Sequence, residues 1–273
     1  MKELMSGLVV GESPRWHQGR LWFSNWGARE IVALDLSGKS EVIAHVSKFA
    51  GFCIDFLADG TLIVTGEDAI LRLQSGELVP YVDLSGLGSL WNEIVVDPRG
   101  NIYVNNIGFA FGQEEFKPGF IALVTPDGTT RKVADDIWFP NGMVVTPDNR
   151  TLIVAESWAA KLTAFDIEPD GSLTNRRVWA AVGGDGICLD PSGMIWCADM
   201  VDGGSVAMRV CEGGKIVQRI PLDAACFACA LSDGGDLFLM VAEWLGVERM
   251  GELFQSSTGR VLTTRVEPSE DCT

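Results

Sequence analysis

The segment VVDPRGNIYVN at residues 95–105 sets a tight polar turn between two short apolar runs, and the chain repeats this pattern six times. The other five copies are RWHQGRLWFS (15–24), CIDFLADGTLIVT (53–65), VVTPDNRTLIVA (144–155), CLDPSGMIWCA (188–198) and CALSDGGDLFLM (229–240). The first apolar residues after the turns are spaced 41, 40, 50, 43 and 42 residues apart, at Leu21, Leu62, Ile102, Leu152, Ile195 and Leu237. Repeats of this length that each contain a hairpin are typical of β-propellers. The sequence therefore predicts an all-β fold, a six-bladed β-propeller with four-stranded antiparallel blades around a central channel.

The repeats also predict the domain organisation. Each blade can bury its two faces only against its neighbours, so we expect residues 1–273 to form a single propeller domain. A closed propeller needs one outer strand from a chain terminus. Either MSGLVV (5–10) or GRVLTTRVEP (259–268) should supply it.

Composition narrows the class of partner. The net charge of -16 argues against nucleic acid, which requires a basic surface. No run approaches ~18 apolar residues, so we expect no membrane span, and the N-terminal segment does not resemble a secretory signal. We expect a cytoplasmic protein that binds a small molecule, while the oligomeric state stays open.

The seven cysteines are an odd number without the spacing of a disulfide framework. Most lie within apolar strand patterns, so we expect buried, reduced thiols. Cys226 and Cys229 form a CxxC pair, but no second pair or histidine accompanies it. We therefore expect neither a redox nor a zinc site there.

Aligning the six turns brings polar residues to one repeat position. Five residues before the turn lie Asn92, Asn141 and Asp185, and the same place in the first blade falls at Glu12. Blades two and six carry Ala50 and Cys226 near that position. We expect these residues to begin the innermost strands, where the strands converge at one face of the propeller.

Two carboxylates and two amides at that face can be explained in two ways. Buried carboxylates repel each other, so a cation between them would stabilise the pair, and ligands that are all oxygen favour Ca²⁺, Mg²⁺ or Mn²⁺. Alternatively, these residues start strands and bond to loop backbone, as Asn and Asp before Gly often do. Only His17 and His45 are present, so neither a histidine-rich zinc site nor catalysis through histidine is expected.

Four segments carry a family resemblance: GESPRW (11–16), WNEIVVDPRG (91–100), FPNGMVVTPDNRTLIVAES (139–157) and GDGICLDPSGMIWCAD (184–199). In order and spacing they resemble the SMP-30/gluconolactonase/LRE-like family, six-bladed propellers that include sugar lactonases. The resemblance implies one divalent cation held by Glu12, Asn141 and Asp185, with Asn92 beside it and Asp185 as the general base. Calcium is the expected ion, with Mg²⁺, Mn²⁺ and Zn²⁺ as alternatives.

The second segment departs from the family pattern. Sugar lactonases of this family often read Arg-x-Asn-Asp there, whereas this chain reads Leu90-Trp91-Asn92-Glu93. Leu90 cannot donate the paired hydrogen bonds that Arg gives to a polar substrate. Glu93 keeps the acid on a longer side chain. We predict that Leu90, Asn92 and Glu93 contact the substrate, and the change at Leu90 leaves both a sugar lactone and a more apolar lactone open.

The loops after the second strands should return to the face that carries the polar residues. They contain Trp26 and Trp158, and the long segment 105–119 contains Phe109. These residues predict an aromatic, apolar pocket mouth that contacts the substrate. Segment 105–119 is either a lid or specificity loop, or an insertion that packs on itself.

The residues and the resemblance together predict a metal-dependent hydrolase that opens a lactone, either a sugar lactone or a more apolar one. A bound cation polarises the carbonyl while a carboxylate assists the attack of water. The alternatives are a family member with other chemistry, such as organophosphate hydrolysis or non-hydrolytic ring-opening, and a metal-binding propeller that acts as an interaction module without catalysis.

Overall fold

The structure is a computed structural model that describes residues 1–47, 51–201, 204–268 and 272. Its strands form six four-stranded antiparallel sheets, so the predicted six-bladed β-propeller is confirmed. Contacts divide the chain into two compact units, residues 1–51 with 185–273 and residues 52–184. No helix among the described residues is long and apolar enough to span a membrane.

The chain begins with strand β1 (Lys2–Leu8) and continues into blade one of the first unit. Blade one contains β2 (Gly11–His17), β3 (Arg20–Asn25), β4 (Glu30–Leu34) and β5 (Ser40–His45).

The second unit consists of blades two, three and four. Blade two contains β6 (Ile54–Phe56), β7 (Leu62–Thr65), β8 (Ala69–Gln74) and β9 (Glu77–Asp83). Blade three contains β10 (Trp91–Val96), β11 (Ile102–Asn106), β12 (Gly119–Val124) and β13 (Thr130–Ile137). Blade four contains β14 (Pro140–Val145), β15 (Thr151–Glu156), β16 (Lys161–Ile167) and β17 (Leu173–Ala180), with a 3-10 helix at Ser157–Ala159.

Blades five and six return the chain to the first unit. Blade five contains β18 (Cys188–Leu189), β19 (Ile195–Val201), β20 (Gly204–Val210) and β21 (Ile216–Leu222). Blade six contains β22 (Ala225–Leu231), β23 (Asp236–Ala242) and β24 (Gly259–Arg265). Between β23 and β24 lie a 3-10 helix (Val247–Arg249) and α1 (Met250–Leu253). The N-terminal β1 pairs with β24 and is the outermost strand of blade six, so it is the N-terminal segment that closes this blade.

The repeated phrase folds as a capped turn because its aspartate accepts backbone N–H groups two and four residues on. Asp97 Oδ1 accepts the N–H groups of Arg99 and Asn101 at 2.8 Å each. Gly100 follows with φ of +84°, which a residue with a Cβ adopts at a cost. Asp190 caps the turn of blade five in the same way. This chemistry fixes the hairpin between the first two strands of each of these blades.

Apolar side chains fill the spaces between neighbouring blades inside each unit. In the first unit Trp196 of blade five is fully buried and packs with Leu237 and Leu239 of blade six. In the second unit Tyr103 of blade three packs in the same cluster as Leu152 of blade four. Burial of the repeat's apolar runs thus stabilises adjacent blades together, as the repeat predicted.

One buried ion pair lies in blade five. Asp190 and Arg209 have side chains 0% and 4% exposed, and Arg209 Nε donates to Asp190 Oδ2 at 2.6 Å. Arg209 Nη1 also donates to the backbone oxygen of Glu267 at 2.8 Å, which holds the segment after β24 against β20.

A disulfide joins Cys211 to Cys272, with their Cα atoms 5.7 Å apart and a sequence separation of 61 residues. The expectation of reduced thiols throughout is wrong for this pair. The other five cysteines are not part of a disulfide, and all except the half-buried Cys188 are buried: Cys53, Cys188, Cys197, Cys226 and Cys229. Disulfides are uncommon in cytoplasmic proteins. The cytoplasmic location that the sequence predicts stays a prediction.

Candidate functional site

Three of the four candidate ligands lie where an innermost strand is interrupted by a bulge. In the first unit the pairing of β2 with β3 shifts register after Glu12. In the second unit the pairing of β10 with β11 shifts around Asn92, and that of β14 with β15 shifts around Asn141. A bulge bends a strand and redirects a side chain, and bulges are frequent beside active sites. The repeat position is thus a local break in the ladder as well as a polar position.

Glu12 of the first unit is a buried carboxylate, 4% exposed. Its Oε2 accepts the N–H of Ser13 at 3.2 Å, and Ser24 Oγ donates to the Glu12 backbone oxygen at 2.9 Å. Ser13 has φ of +50°, a left-handed conformation that a serine adopts at a cost. Buried charged groups are found either paired or coordinated to metals, so a buried Glu12 is compatible with a metal site.

Asp185 lies in the loop before β18, in the same unit as Glu12, and is half-buried. Burial raises the pKa of the Cys226 thiol, and Cys229, Asp185 and Glu12 raise it further. Both predicted carboxylate ligands are therefore close enough to act on one buried thiol. The first unit brings Asp185 and Glu12 to the same region of the molecule.

Asn92 and Asn141 of the second unit have their amide nitrogens engaged by neighbouring groups. Asn92 Nδ2 donates to the Pro140 backbone oxygen at 3.0 Å, and Asn141 Nδ2 donates to Ser157 Oγ at 3.4 Å. An amide whose nitrogen donates to protein is oriented to present its oxygen as an acceptor or metal ligand. The second unit thus orients both amides in the way that an oxygen ligand requires.

Glu93 and Leu90 take different environments. Glu93 is 2% exposed, its N–H donates to Asn105 Oδ1 at 3.1 Å, and its Oε2 accepts the N–H of Ile94 at 3.2 Å. Leu90 is 50% exposed and has φ of +61°. Its side chain is thus available for contact from solvent, and backbone strain of this kind is frequent at ligand-binding sites.

Turn hydrogen bonds correct the register in blades two and six. The N–H of Asp97 donates across its turn at 2.9 Å, and the same bond is made by Leu57 in blade two and by Ser232 in blade six. Five residues before these positions lie Phe52 and Phe227 in place of a polar residue. Blades two and six therefore carry aromatic rings at the position that is polar in the other blades.

The sequence placed Cys226 near the repeat position of blade six, and it lies one residue before that position. The ladder of β22 with β23 shifts register between Cys226 and Ala228, so that the bulge contains Phe227. Ala50, the corresponding assignment in blade two, lies outside the described residues.

The three predicted aromatic contacts differ in exposure. Trp26 is half-buried among apolar residues of the first unit that include Phe227 and Trp244. In the second unit Phe109 is only 7% exposed, whereas Trp158 is 46% exposed. Phe109 therefore supports other rings, while Trp158 presents part of its indole to solvent.

Two polar residues that bond to Asn141 were not among the predicted site residues. Asn105 is fully buried, and it accepts from the N–H of Glu93 and donates to the Asn141 backbone oxygen at 2.8 Å. Ser157 Oγ donates to the Gly184 backbone oxygen at 2.8 Å and accepts from Asn141. Both side chains end a second strand or follow it. A polar residue that interrupts an apolar strand, as Asn105 does, was the available signal.

A cleft of about 490 Å³ opens in the first unit between the loops of blades five and six. Met200, Leu222, Trp244 and Leu245 supply its apolar walls, and Arg260 pairs with Asp223 at its edge at 2.7 Å. Met200 of β19 in blade five and Trp244 and Leu245 after β23 in blade six thus border one cleft.

The donor chemistry fits a hard cation. Among the described residues, no three His, Cys, Asp or Glu side chains form a cluster that could hold a metal ion. A set of two carboxylates and two amide oxygens, the set that the sequence proposes, is suited to Ca²⁺, Mg²⁺ or Mn²⁺ rather than to a soft metal. Buried Glu12 and the oriented amides of Asn92 and Asn141 are consistent with this chemistry.

The family of the protein follows from comparison of its sequence with known proteins. Residues 10–243 match the model of the SMP-30/Gluconolactonase/LRE-like family, and the chain belongs to that family. The sequence is 25% identical over 240 residues to regucalcin of Gallus gallus, which covers 81% of this chain and 78% of that protein.

Solved structures share the fold. The chain superposes on a gluconolactonase from Xanthomonas campestris with a TM-score of 0.78 and 21% identity, covering 97% of this chain and 89% of that one. It superposes on a regucalcin from Agrobacterium tumefaciens, described as a calcium-binding protein, with a TM-score of 0.76 and 23% identity. That alignment covers 95% of this chain and 92% of the other.

Proposed function

We propose that this protein is a divalent-metal-dependent hydrolase that opens a lactone. The observation that carries the proposal is the repeat position itself, which is oxygen-bearing in four blades, aromatic in two, and bulged at Glu12, Asn92 and Asn141. Membership of a family named for gluconolactonase supports lactone chemistry.

Glu12, Asn141 and Asp185 would hold the cation, and the proposal includes closure of residues 1–273 as one domain so that they share one site. Calcium is the favoured ion because all the donors are oxygen, and the description of a structural relative as calcium-binding supports it. Mg²⁺, Mn²⁺ and Zn²⁺ are the alternative ions for this site.

When bound, the cation would supply Lewis acidity to the lactone carbonyl. Asp185 takes a proton from the attacking water and later returns it to the departing ring oxygen, so the product is a hydroxy acid. General base catalysis of this kind contributes about 10²–10⁴ in rate. Asn92 and Glu93 would orient the lactone, and Leu90 would contact its apolar part.

The test is a panel of sugar and alkyl lactones assayed with and without EDTA. Lactone opening should be abolished by the chelator and restored by added Ca²⁺ or another divalent ion. Asp185→Asn should lose about 10²-fold or more in kcat, because an amide cannot accept the proton. Asp148→Asn makes the same change at an exposed turn and should leave kcat unaffected.

Other outcomes would select the alternatives. Full turnover by Asp185→Asn would remove Asp185 as the base. Chelator-sensitive cleavage of a phosphotriester without lactone opening would indicate different chemistry. Tight Ca²⁺ binding in calorimetry without any turnover would favour an interaction module.

A further inference from the structure

Six aromatic rings of the second unit form one continuous cluster, which we call the aromatic platform. Its members come from the segment after β11, the connection between β13 and β14, and the 3-10 helix after β15: Phe109, Phe111, Phe116, Trp138, Phe139 and Trp158. Trp158 stacks on Phe139 and on Phe116, each with centroids 5.2 Å apart. Segment 105–119 is therefore neither a free lid nor an insertion that packs only on itself, because its rings pack against blade four.

One ring of the platform is buried, and its two indoles are partly exposed to solvent. Phe109 is 7% exposed and contacts four other rings. Trp138 and Trp158 are each 46% exposed. Burial of both indoles would be favourable, so their exposure is a cost in the free protein that a bound apolar group would relieve.

The platform is connected to the candidate amide of Asn141 through Ser157, within the second unit. The N–H of Ser157 donates to the Phe139 backbone oxygen at 3.1 Å, and Asn141 Nδ2 donates to Ser157 Oγ. Phe139 lies two residues before Asn141, and Trp158 directly follows Ser157. A molecule bound at Asn141 is thus next to the exposed indoles.

The platform is held rigidly from beneath. Glu156 is fully buried, and its carboxylate accepts the N–H of Trp138 at 2.9 Å and a guanidinium hydrogen of Arg176 at 3.0 Å. Phe139 has φ of +56°, a left-handed conformation that is unfavourable for a bulky residue. Such strain persists where surrounding contacts impose it, and it brings the Phe139 ring against Trp158.

The exposed area matches a small ligand better than a protein partner. At ~250 Å² for a whole tryptophan, the two indoles expose on the order of 200 Å² together, whereas a stable protein interface takes roughly 800 Å² from each partner. Stacking a single six-membered ring needs no more surface than these indoles offer.

We propose that the substrate carries an aromatic ring next to its lactone and that Trp158 and Trp138 determine this specificity by binding that ring. The inference rests on the proposed lactonase function and adds the class of substrate. Exposed Leu90, in the same unit, agrees with it because an apolar group there cannot satisfy sugar hydroxyls.

Two lactones that differ in one substituent test the proposal. γ-Phenyl-γ-butyrolactone and γ-valerolactone share a five-membered lactone and carry phenyl or methyl at the same carbon. We expect the wild-type kcat/KM to favour the phenyl lactone by at least about tenfold. Trp158→Ala should reduce this preference by roughly 2- to 12-fold, the range of one aromatic pair. Trp138→Ala, with fewer ring contacts to lose, should reduce it as well.

Tyr81→Ala is the matched control, because Tyr81 is 39% exposed in the same unit but lies in outer strand β9. It should leave the preference unchanged. Equal kcat/KM for the two lactones in the wild type would overturn the ring proposal while the lactonase function stands.

Binding of two lactams separates the inference from the proposed function. 5-Phenyl-2-pyrrolidinone and 5-methyl-2-pyrrolidinone copy the two lactones and resist hydrolysis, and their Kd values follow from calorimetry. If no lactone is opened, the lactonase proposal fails, yet tighter binding of the phenyl lactam that Trp158→Ala abolishes would still support the platform. Equal lactam affinities would refute it. A second result would also refute it. If the wild type is a dimer by light scattering, Trp158→Ala is a monomer, and the wild type does not prefer the phenyl lactam, then the indoles bind protein.

Discussion

Replacement of Arg209 by methionine should cost more stability than any exposed charge substitution in this chain. Methionine fills much of the space of the arginine side chain but leaves Asp190, 0% exposed, without its guanidinium. Asp190 Oδ1 still accepts the N–H groups of Ser192 and Met194 at 2.7 and 3.1 Å, so the carboxylate stays partly satisfied. Removing one partner of a buried pair costs about 3–5 kcal/mol.

The magnitude converts to a melting temperature. Unfolding entropy of about 2.1 cal/mol/K per residue gives roughly 0.57 kcal/mol/K for 273 residues, so Tm should fall by about 5–9 °C. Differential scanning calorimetry at pH 7, repeated at two scan rates, measures this shift.

Arg249→Met is the control. Arg249 forms a similar contact of 2.6 Å with Glu252, but both side chains are more than half exposed. Its loss should stay within about 0.5 kcal/mol. The double variant with Asp190→Asn and Arg209→Met removes both charges and should recover part of the lost stability. A Tm change below 2 °C in Arg209→Met, or strictly additive losses in the double variant, would refute the reasoning.

Three further predictions concern stability. Opening the Cys211–Cys272 disulfide, whose cysteines lie 61 residues apart, should cost about 2–4 kcal/mol; Tm should fall with reductant, and Cys272→Ser should remove that dependence. Leu8→Ala, at a residue 1% exposed in β1, should cost about 2–5 kcal/mol in urea unfolding, whereas Leu36→Ala at 47% exposure should be nearly neutral. Burial raises the pKa of Glu156, but hydrogen bonds from Thr163, the Trp138 N–H and Arg176 outweigh it and hold the pKa below its ordinary value of 4.5. The stability that Glu156 adds is therefore present above that value and lost as pH falls, so the Tm gap between wild type and Glu156→Gln should narrow below about pH 4.5.

Each of the three has an outcome that contradicts it. Seven reactive thiols in the unfolded, unreduced protein would show that the disulfide does not form. Equal losses in Leu8→Ala and Leu36→Ala would mean that β1 does not seal blade six. A Tm gap that is constant from pH 7 to pH 3.5 would show that Glu156 does not titrate below its ordinary range.

The fold followed from the sequence because its signal is local and repeated. Asp97 and Asp190 cap their turns through atoms two and four residues away, so a short phrase specifies each hairpin. The same locality located Glu12, Asn92, Asn141 and Asp185 at one repeat position. The assignment of Cys226 failed because the turn of blade six begins at Ser232, where blades three and five carry Asp97 and Asp190, and only the hydrogen bond from Ser232 to Asp236 fixes the residue from which to count.

Features that depend on distant residues were not predictable. The Cys211–Cys272 pair joins a turn of blade five to the C-terminal tail, and no spacing rule links them. The burial of Phe109 depends on rings contributed by two further loops of blade four. Asn105 interrupts an apolar strand, but its role as a link between Glu93 and Asn141 appears only when blades three and four pack together.

The pairing of β1 with β24 has a consequence for synthesis. About 250 residues separate the end of β1 at Leu8 from its partner at Gly259. At ~5–20 residues per second, a ribosome takes roughly 13–50 s to make that stretch. Through this interval the backbone donors and acceptors of β1 that will pair with β24 stay open to any other strand edge. We therefore expect chaperone binding at β1 to reduce mispairing until β24 has been synthesised.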